Sequence, residues 1–218
     1  MATQPQPDPL IRPPQQRRSQ ESLERVLQAG ADLLREVGYE GFTLQEVSSR
    51  SGVSVGSIYA RAASKEALIL AIYDRETARM REENRRIELA SRREDLHGRA
   101  LVEALVHELA AGVLGNADTL RVFMHRAVVD ENFWERGSKG LRGLSATFEG
   151  ALGAHRDEIR HPDPDLAIDM AFRLVYDTLA RRISHGPDFE SDRPVPEDVL
   201  VNELARAAAD YLIGPEPA

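Results

Sequence analysis

Apolar residues recur along most of the chain at the spacing of an α-helix. The first such stripe begins after Ser19, and its members are Leu23, Val26, Leu27, Gly30, Leu34 and Val37. Gly38 follows the stripe and predicts its end, because glycine readily adopts the left-handed conformation that closes many helices. We find no convincing alternation of apolar and polar residues of the kind that marks a half-buried strand. The pattern therefore predicts an all-α protein.

Two short helices separated by a glycine are predicted next. Thr43 is followed three residues later by a glutamate, which is the spacing of a capping box and predicts a helix over 44–51. Gly52 can adopt a positive φ without steric cost, and it predicts a tight turn. Ser54 is a suitable N-cap for a third helix over about 55–62.

Helical periodicity continues through the rest of the chain. Ser64 predicts the start of a long helix over about 65–93, which is apolar at first and densely charged later, as a connector between two domains would be. Further helices separated by glycine and proline turn signals are predicted over 97–114, 118–134, 139–160, 165–184 and 196–213. The expected fold has about nine helices, in a three-helix N-terminal domain and a larger helical C-terminal domain.

Composition sets the domain boundaries and the expected compartment. Residues 1–18 are predicted to form a disordered arm because Met1 to Gln16 are rich in proline and glutamine. The two domains are expected over 19–65 and 66–218. The N-terminus lacks the apolar core of a secretory signal, and no apolar run approaches the roughly 18 residues that span a bilayer, so we expect a cytoplasmic protein.

Charge and cysteine content narrow the classes of function. The formal net charge is −8, yet residues 1–65 hold eight Lys or Arg against seven Asp or Glu. The negative charge therefore belongs to the C-terminal part and does not argue against DNA binding by the N-terminal part. The absence of cysteine excludes disulfides, thiolate metal sites and a cysteine nucleophile.

The two short helices around Gly52 have the arrangement of a helix-turn-helix, whose second helix enters the major groove of DNA. At about 100° per residue, Ile58 lies on the inner side of the third helix, and the small residues Gly56, Ser57 and Ala60 lie on the outer side. Small side chains permit close approach to base edges, where methyl groups contact thymine and hydroxyls bond to several bases. A purely structural helix pair is the alternative interpretation.

Three motifs in this region resemble the DNA-binding domain of TetR-type repressors. They are Gly38 to Thr43 (GYEGFT), Gly52 to Tyr59 (GVSVGSIY) and Ser64 to Leu68 (SKEAL), in that family's order and spacing. The resemblance covers about residues 20–72. It implies an N-terminal DNA-binding domain followed by a divergent ligand-binding and dimerisation domain.

Carried over by position, the resemblance implies phosphate contacts by Thr43 and Lys65, and a backbone or base contact by Tyr59. The free N–H groups and positive dipole end of a helix beginning at Thr43 would favour an anion. The full set of expected DNA-contacting residues is Thr43, Ser54, Val55, Gly56, Ser57, Tyr59, Ala60, Arg61 and Lys65.

Two features depart from the family pattern. The family commonly has a basic residue at Val55, and its absence here gives Arg61 and Lys65 more weight and predicts a shallower salt dependence of binding. The family also has an aromatic pair around Ala60 and Ala62, and the residue at Ala62 is usually a phenylalanine that packs into the small domain. Alanine there predicts a packing deficit unless neighbouring side chains fill the space.

Two sets of residues in the C-terminal part are candidates for ligand binding and dimerisation. Aromatic and histidine residues that could line an apolar effector pocket, or simply belong to the core, are Phe123, His125, Trp134, Phe148, Phe172 and Tyr176. Apolar stripes that could form an intersubunit four-helix bundle, or be buried within one subunit, include Leu166, Met170, Leu174, Leu200, Leu204, Ala208 and Tyr211. Glycines between 137 and 153 indicate a helix that is soft or closely packed against a neighbour.

The sequence contains no signal for catalysis or for a cofactor. It has no P-loop, dinucleotide fingerprint, nucleophile elbow or zinc-protease histidine pair, and no two histidines have the spacing of a helical metal site. We therefore expect no catalytic residue, no cofactor and no metal site. The predicted protein is a ligand-responsive regulator, most simply a repressor, that binds a palindromic operator as a homodimer and is released by a small molecule. An all-helical enzyme or small-molecule-binding protein is the rival.

Overall fold

The computed structural model describes residues 17–189 and 191–215, with the backbone but not the side chain of Glu83. These residues contain ten α-helices, one 3-10 turn and no strand, so the predicted all-α fold class is confirmed. The chain divides into two compact units, the first ending at Ala78 and the second beginning at Arg79. The predicted disordered arm lies outside the described residues except for its last two positions, which begin the first helix.

Four helices begin in the first unit, and the last of them continues past the boundary. They are α1 (Arg17–Gly41), α2 (Leu44–Ser51), α3 (Val55–Tyr59) and α4 (Lys65–Glu83). The predicted stop at Gly38 is a break within α1, with φ 67° and ψ −173°, after which one more turn follows. The predicted caps Thr43, Ser54 and Ser64 each accept a backbone N–H from the residue three positions later.

The core of the first unit forms where α1 contacts α4. The backbone of α1 at Gly30 lies directly against the side chain of Ile72 on α4, since a Cβ at Gly30 would be 2.4 Å from Ile72 Cδ1. Most of the apolar stripe of α1 is buried here together with residues of the following three helices, including Val26, Leu33, Leu34, Phe42, Val47, Ile58, Leu68 and Ile69. Burial of each such side chain stabilises the fold by roughly 1.5–3 kcal/mol.

A charged cluster is buried in the same unit. Glu76 on α4 is only 2% exposed. Arg75 Nη1 lies 2.5 Å from Glu76 Oε1, and Nη1 of Arg35 on α1 lies 3.6 Å from Glu76 Oε2. Arg75 also pairs with the exposed Glu24 of α1. A buried carboxylate is tolerated here because two arginines lie beside it. These ion pairs also connect α1 to α4.

The second unit is built around helix α6. Its elements after α4 are α5 (Arg85–Ser91), α6 (Gly98–Leu114), α7 (Ala117–Ala127), α8 (Glu131–Gly153), a 3-10 turn (Arg156–Glu158), α9 (Pro164–His185) and α10 (Glu197–Ile213). α6 is apolar on most sides and packs mainly against α5, α9 and α10. No single helix among the described residues is long and apolar enough to cross a membrane, and α6 with α7 meets that test only as a pair bent by 75°.

Two predicted helices are interrupted in the structure. The connector predicted over 65–93 breaks at Asn84, because the following helix α5 turns apolar residues into the core of the second unit. The helix predicted over 118–134 ends at Ala127. Asp130 then caps the next helix, α8, because its carboxylate accepts the N–H of Asn132. Helical periodicity across 118–134 did not indicate this cap, so the helix that follows begins earlier than predicted.

The glycine-rich helix α8 is continuous despite its composition. At Gly140, Gly143, Gly150 and Gly153, an added Cβ would meet no atom within 4 Å. Close packing against a neighbouring helix of the same chain therefore does not account for these four glycines, and that interpretation was wrong for them.

We expect Glu76→Ala to lower the free energy of unfolding by about 1–3 kcal/mol, because Arg35 and Arg75 lose a buried counter-charge but keep carboxylate partners at the surface. Urea denaturation followed by circular dichroism measures this. Glu24→Ala is the matched control, since Glu24 is 61% exposed, and it should cost less than about 1 kcal/mol. Equal losses in the two variants would contradict a special role for the buried carboxylate.

Candidate nucleic-acid interface

The turn between α2 and α3 fixes how the two helices cross. Gly52 has φ 67° and ψ 20°, and its N–H donates to the carbonyl of Ser48. This left-handed conformation costs a residue with a Cβ roughly 1–2 kcal/mol, so glycine is the suitable residue. Val47 and Ile58 are buried on the inner sides of the two helices. Their burial leaves the opposite side of α3 directed to solvent.

The solvent side of α3 is made of small residues and one tyrosine. Tyr59 is 53% exposed and Val55 is half-buried. The other exposed members of this face are Ser54, Gly56, Ser57 and Ala60. The Ser54 and Ser57 hydroxyls lie 2.8 Å apart and bond to each other. This exposed side of the helix is the one that periodicity placed outward, and apart from Tyr59 it carries no bulky side chain that would obstruct a base edge.

Thr43 and Lys65 begin two different helices, and Phe42, the residue before Thr43, is one of two aromatic residues that the Lys65 ammonium lies over. Thr43 is exposed, and its Oγ1 accepts the N–H of Glu46 at 3.2 Å. Lys65 Nζ is 5.1 Å from the centre of the Tyr39 ring and 6.0 Å from that of Phe42, the residue before Thr43. An ammonium group is thus held near the N-terminus of α2, where free N–H groups and the helix dipole favour an anion.

Arg50 at the end of α2 adds little positive potential to this face. It donates to Glu46 and to Glu36, each at 2.8 Å. The hydrogen bond to Glu46, and then that to Glu36, raises the pKa of Arg50. The Glu46 side chain therefore faces Arg50. Among the described hydrogen bonds, only one of the two expected in a capping box is present, the one that Thr43 accepts from the N–H of Glu46.

Arg61 is directed toward α1, not along the outer face of α3. Its Nη1 donates to the carbonyl of Ser19 at 2.8 Å, and its Nη2 donates to the Ser19 hydroxyl. On α1, Arg25 Nε likewise donates to the carbonyl of Ser51 at the end of α2. Both arginines position the helix-turn-helix. Sequence patterns do not reveal these roles, because the partners lie 42 and 26 residues away along the chain.

The space beside Ala62 is largely filled by neighbouring side chains. Ala62 is 1% exposed and borders a hollow of only about 10 Å³, roughly the room for one water. The side chains that line the hollow are mostly apolar and come from α1, α3, α4 and the turns between them, including Leu23, Val26, Val53, Ile58 and Leu68. The condition under which alanine causes no large packing deficit is therefore mostly met.

The candidate pocket residues of the second unit fall into separate clusters. The Phe148 and Phe172 rings are 5.8 Å apart in the core, and the Tyr176 ring is stacked on Phe172 at 5.7 Å. Phe123 contacts Phe133 instead, with ring centres 6.2 Å apart. Four of the six candidates are therefore in or beside the interior, in two groups.

The other two candidates, His125 and Trp134, are exposed. Trp134 is 58% exposed, and His125 contacts the carbonyl of Ser184 at 3.2 Å. As lining of an enclosed pocket within this chain, these two assignments were wrong. Trp134 follows the buried Phe133 on α8 and lies on the exposed side of that helix.

The candidate dimer residues divide by exposure. Leu166, Met170 and Leu174 are 50%, 36% and 56% exposed along one face of α9, and Tyr211 on α10 is 39% exposed. On α10, Leu200 and Leu204 are half-buried, and Ala208 is buried. Ala208 belongs to the core of the second unit, so its assignment to a surface was wrong.

Comparisons with known proteins agree with the motifs. Residues 26–72 match the family model of bacterial regulatory proteins of the tetR family, which confirms the resemblance seen in the sequence. No curated protein matches the chain.

Solved structures of the same fold cover most of the chain. One is a protein of Mesorhizobium loti assigned to the TetR family, with a TM-score of 0.72 and 17% identity over 89% of this chain and 96% of that one. A TetR transcription regulator of Haloarcula marismortui has a TM-score of 0.67 and 17% identity, over 89% of this chain and 99% of that one. A transcriptional regulator of Rhodococcus sp. RHA1 has a TM-score of 0.66 and 20% identity, over 90% of this chain and 100% of that one. The chain thus has the fold of DNA-binding transcriptional regulators.

We expect Gly52→Ala to lower the free energy of unfolding by about 1–2 kcal/mol, because alanine is strained at φ 67°. Thermal or urea unfolding measures the change. Gly56→Ala is the matched control: its φ is negative and an added Cβ meets nothing within 4 Å. That variant should be neutral, or more stable by up to about 1 kcal/mol. Equal destabilisation by both variants would refute the assignment of strain to the turn.

Proposed function

Because residues 26–72 match the tetR family and the chain has the fold of such regulators, we propose that this protein is a ligand-responsive transcriptional repressor. It acts in the cytoplasm as a homodimer on a palindromic operator. The observation that carries the proposal is the solvent-exposed face of α3, on which small residues stand beside Tyr59.

The contacts with DNA divide into positioning and sequence-reading ones. Thr43 and Lys65 bind phosphates and fix the register of the protein on the duplex. Ser57 and Ala60 approach base edges in the major groove, where a hydroxyl and a methyl group recognise different bases. Tyr59, more than half exposed, reaches the backbone or a base edge beside them. Arg61 acts indirectly, since it holds α3 to α1 through Ser19.

Binding should be selective and only moderately dependent on salt. The arginines of the first unit described above are largely paired with its own carboxylates or carbonyls. Few phosphates are therefore neutralised per subunit, and each one neutralised contributes about 0.9 to the slope of log affinity against log salt concentration. Sequence discrimination then depends mainly on the fit of the small α3 face.

Selection of duplexes from a random DNA pool by the purified protein tests the proposal, and we expect enrichment of an inverted repeat. On that repeat, Lys65→Ala should weaken binding and reduce the salt slope by about 2, because a dimer loses two phosphate contacts. Lys139→Ala is the matched control, because Lys139 is the only other lysine and is exposed on α8. Fluorescence anisotropy at several salt concentrations measures both variants.

Absence of any enriched repeat from a folded preparation would refute the operator proposal. Equal salt slopes for the wild type, Lys65→Ala and Lys139→Ala would leave DNA binding intact but remove Lys65 from the contact set. Circular dichroism of each variant separates a lost contact from a lost fold.

The dimer is proposed to form through α9 and α10. Reading two half-sites one DNA turn apart requires two-fold symmetry. Leu166, Met170 and Leu174 form an exposed apolar stripe at the spacing of one helix face, and Tyr211 adds apolar surface on the adjacent α10. A second copy of the same surface would bury this stripe in a four-helix bundle.

We expect Leu174→Asp to convert a dimer of twice 24.3 kDa into a monomer, because a charge would be placed in the buried seam. Analytical ultracentrifugation measures the mass. Leu89→Asp is the matched control, since Leu89 is an isolated leucine, 63% exposed, on α5. A dimer that persists in Leu174→Asp, or a wild type that is monomeric at micromolar concentration, would exclude this interface.

Effector binding is assigned to the second unit. The cluster of Phe148, Phe172 and Tyr176 offers apolar and aromatic contacts for a small molecule, although the same rings also pack the core. An effector could bind more tightly to a dimer whose two recognition helices are not spaced to fit the two half-sites. Such an effector shifts the protein toward that state and so lowers its affinity for the operator, which releases it from DNA.

A further inference from the structure

We propose that His97, His155 and Glu158 form a binding site for a divalent transition-metal ion of the zinc type in the second unit. One ligand atom from each side chain lies within 4.8 Å of the other two. The site lies where the start of α6 meets the 3-10 turn after α8. It does not depend on the proposed DNA-binding role.

The three groups already face one another. His155 Nδ1 lies 2.8 Å from Glu158 Oε1, and His97 Nδ1 lies 3.9 Å from the same oxygen. Zinc binds imidazole nitrogen at about 2.0–2.1 Å, which places tetrahedral donors about 3.3 Å apart. The His97 side chain is 65% exposed, so it can close the remaining distance by rotation.

Surrounding backbone groups hold the ligands in position. His97 Nε2 lies 2.9 Å from the carbonyl of Glu94, an arrangement that places the ring proton on Nε2 and leaves the Nδ1 lone pair facing the cluster. Glu158 Oε2 accepts the N–H of Gly98 at 2.5 Å, leaving Oε1 toward the histidines. Hydrogen bonds of this kind to the outer side of a ligand are typical of metal sites.

The loop that carries His97 is shaped for this contact. Gly98 has φ 49°, and a Cβ there would be 3.4 Å from Glu158 Oε2. A side chain at this position would be strained by the positive φ, and its Cβ would lie in van der Waals contact with the carboxylate. The backbone N–H of Gly98 is therefore free to approach and orient Glu158.

The donor set indicates the class of metal. Two imidazoles and one carboxylate suit Zn²⁺, Co²⁺ or Ni²⁺, whereas Mg²⁺ and Ca²⁺ prefer oxygen ligands alone. Three protein ligands leave a fourth position open to solvent. Binding through Nδ1 requires neutral His155 to carry its ring proton on Nε2, so the metal replaces the present hydrogen bond to Glu158.

Sequence spacing did not reveal this site. His97 and His155 lie on different elements and share no helix face, and only the packing of the turn at Arg156–Glu158 against the start of α6 brings them together. The ring centres are 5.9 Å apart.

Metal titration of the full chain, stripped with a chelator and carrying no polyhistidine tag, tests the site. We expect uptake of one equivalent of Co²⁺, seen by visible absorption, and competition by Zn²⁺. Zinc at about 100 times its Kd should raise the Tm by roughly 5 °C or more. His97→Ala and Glu158→Gln should each weaken binding at least about tenfold.

Both variants preserve the fold: His97 is exposed, and a glutamine at 158 still offers an oxygen to the Gly98 N–H. His107→Ala, an exposed histidine on the same helix α6, is the matched control and should bind like the wild type. Equal affinity in the wild type, His97→Ala and Glu158→Gln, or no saturable uptake, would overturn the proposal and identify a cluster held by hydrogen bonds alone.

Discussion

The left-handed turn at Gly52 is the constraint on which the candidate DNA interface depends. It allows α2 and α3 to cross so that Val47 and Ile58 share one apolar core. Once those side chains are buried, the periodicity of a helix determines which residues of α3 face solvent. The caps at Thr43 and Ser54 start the two helices at fixed positions, and Arg25 and Arg61 tie them to α1. The solvent-exposed face of the candidate interface follows from these contacts.

Charge in the first unit serves structure as much as recognition. Arg35 and Arg75 surround the buried Glu76, and Arg50 bridges two glutamates. Lys65 differs from them, because its ammonium lies over the rings of Tyr39 and Phe42. An aromatic surface holds a cation in position without placing the negative charge of a carboxylate beside it. Lys65 thus keeps a positive charge in place in a chain whose formal net charge is −8.

The second unit combines a firmly packed helix with more exposed features. α6 is buried along much of its length, whereas α9 exposes an apolar stripe and the glycines of α8 have open space beside them. The His97, His155 and Glu158 cluster lies at the start of α6, the helix that organises the core. A metal bound there would strengthen the attachment of the turn after α8 to that helix.

Local signals in the sequence determined the helix class, the caps at Thr43, Ser54 and Ser64, and the outward face of α3. Each of these depends on residues within one or two helical turns, so spacing alone reveals them. Contacts between distant residues were decided only by the tertiary structure. The turn of Arg61 toward Ser19, the exposure of Trp134, the burial of Ala208 and the meeting of His97 with His155 depend on how helices pack, and packing joins positions whose separation along the chain carries no periodic signal.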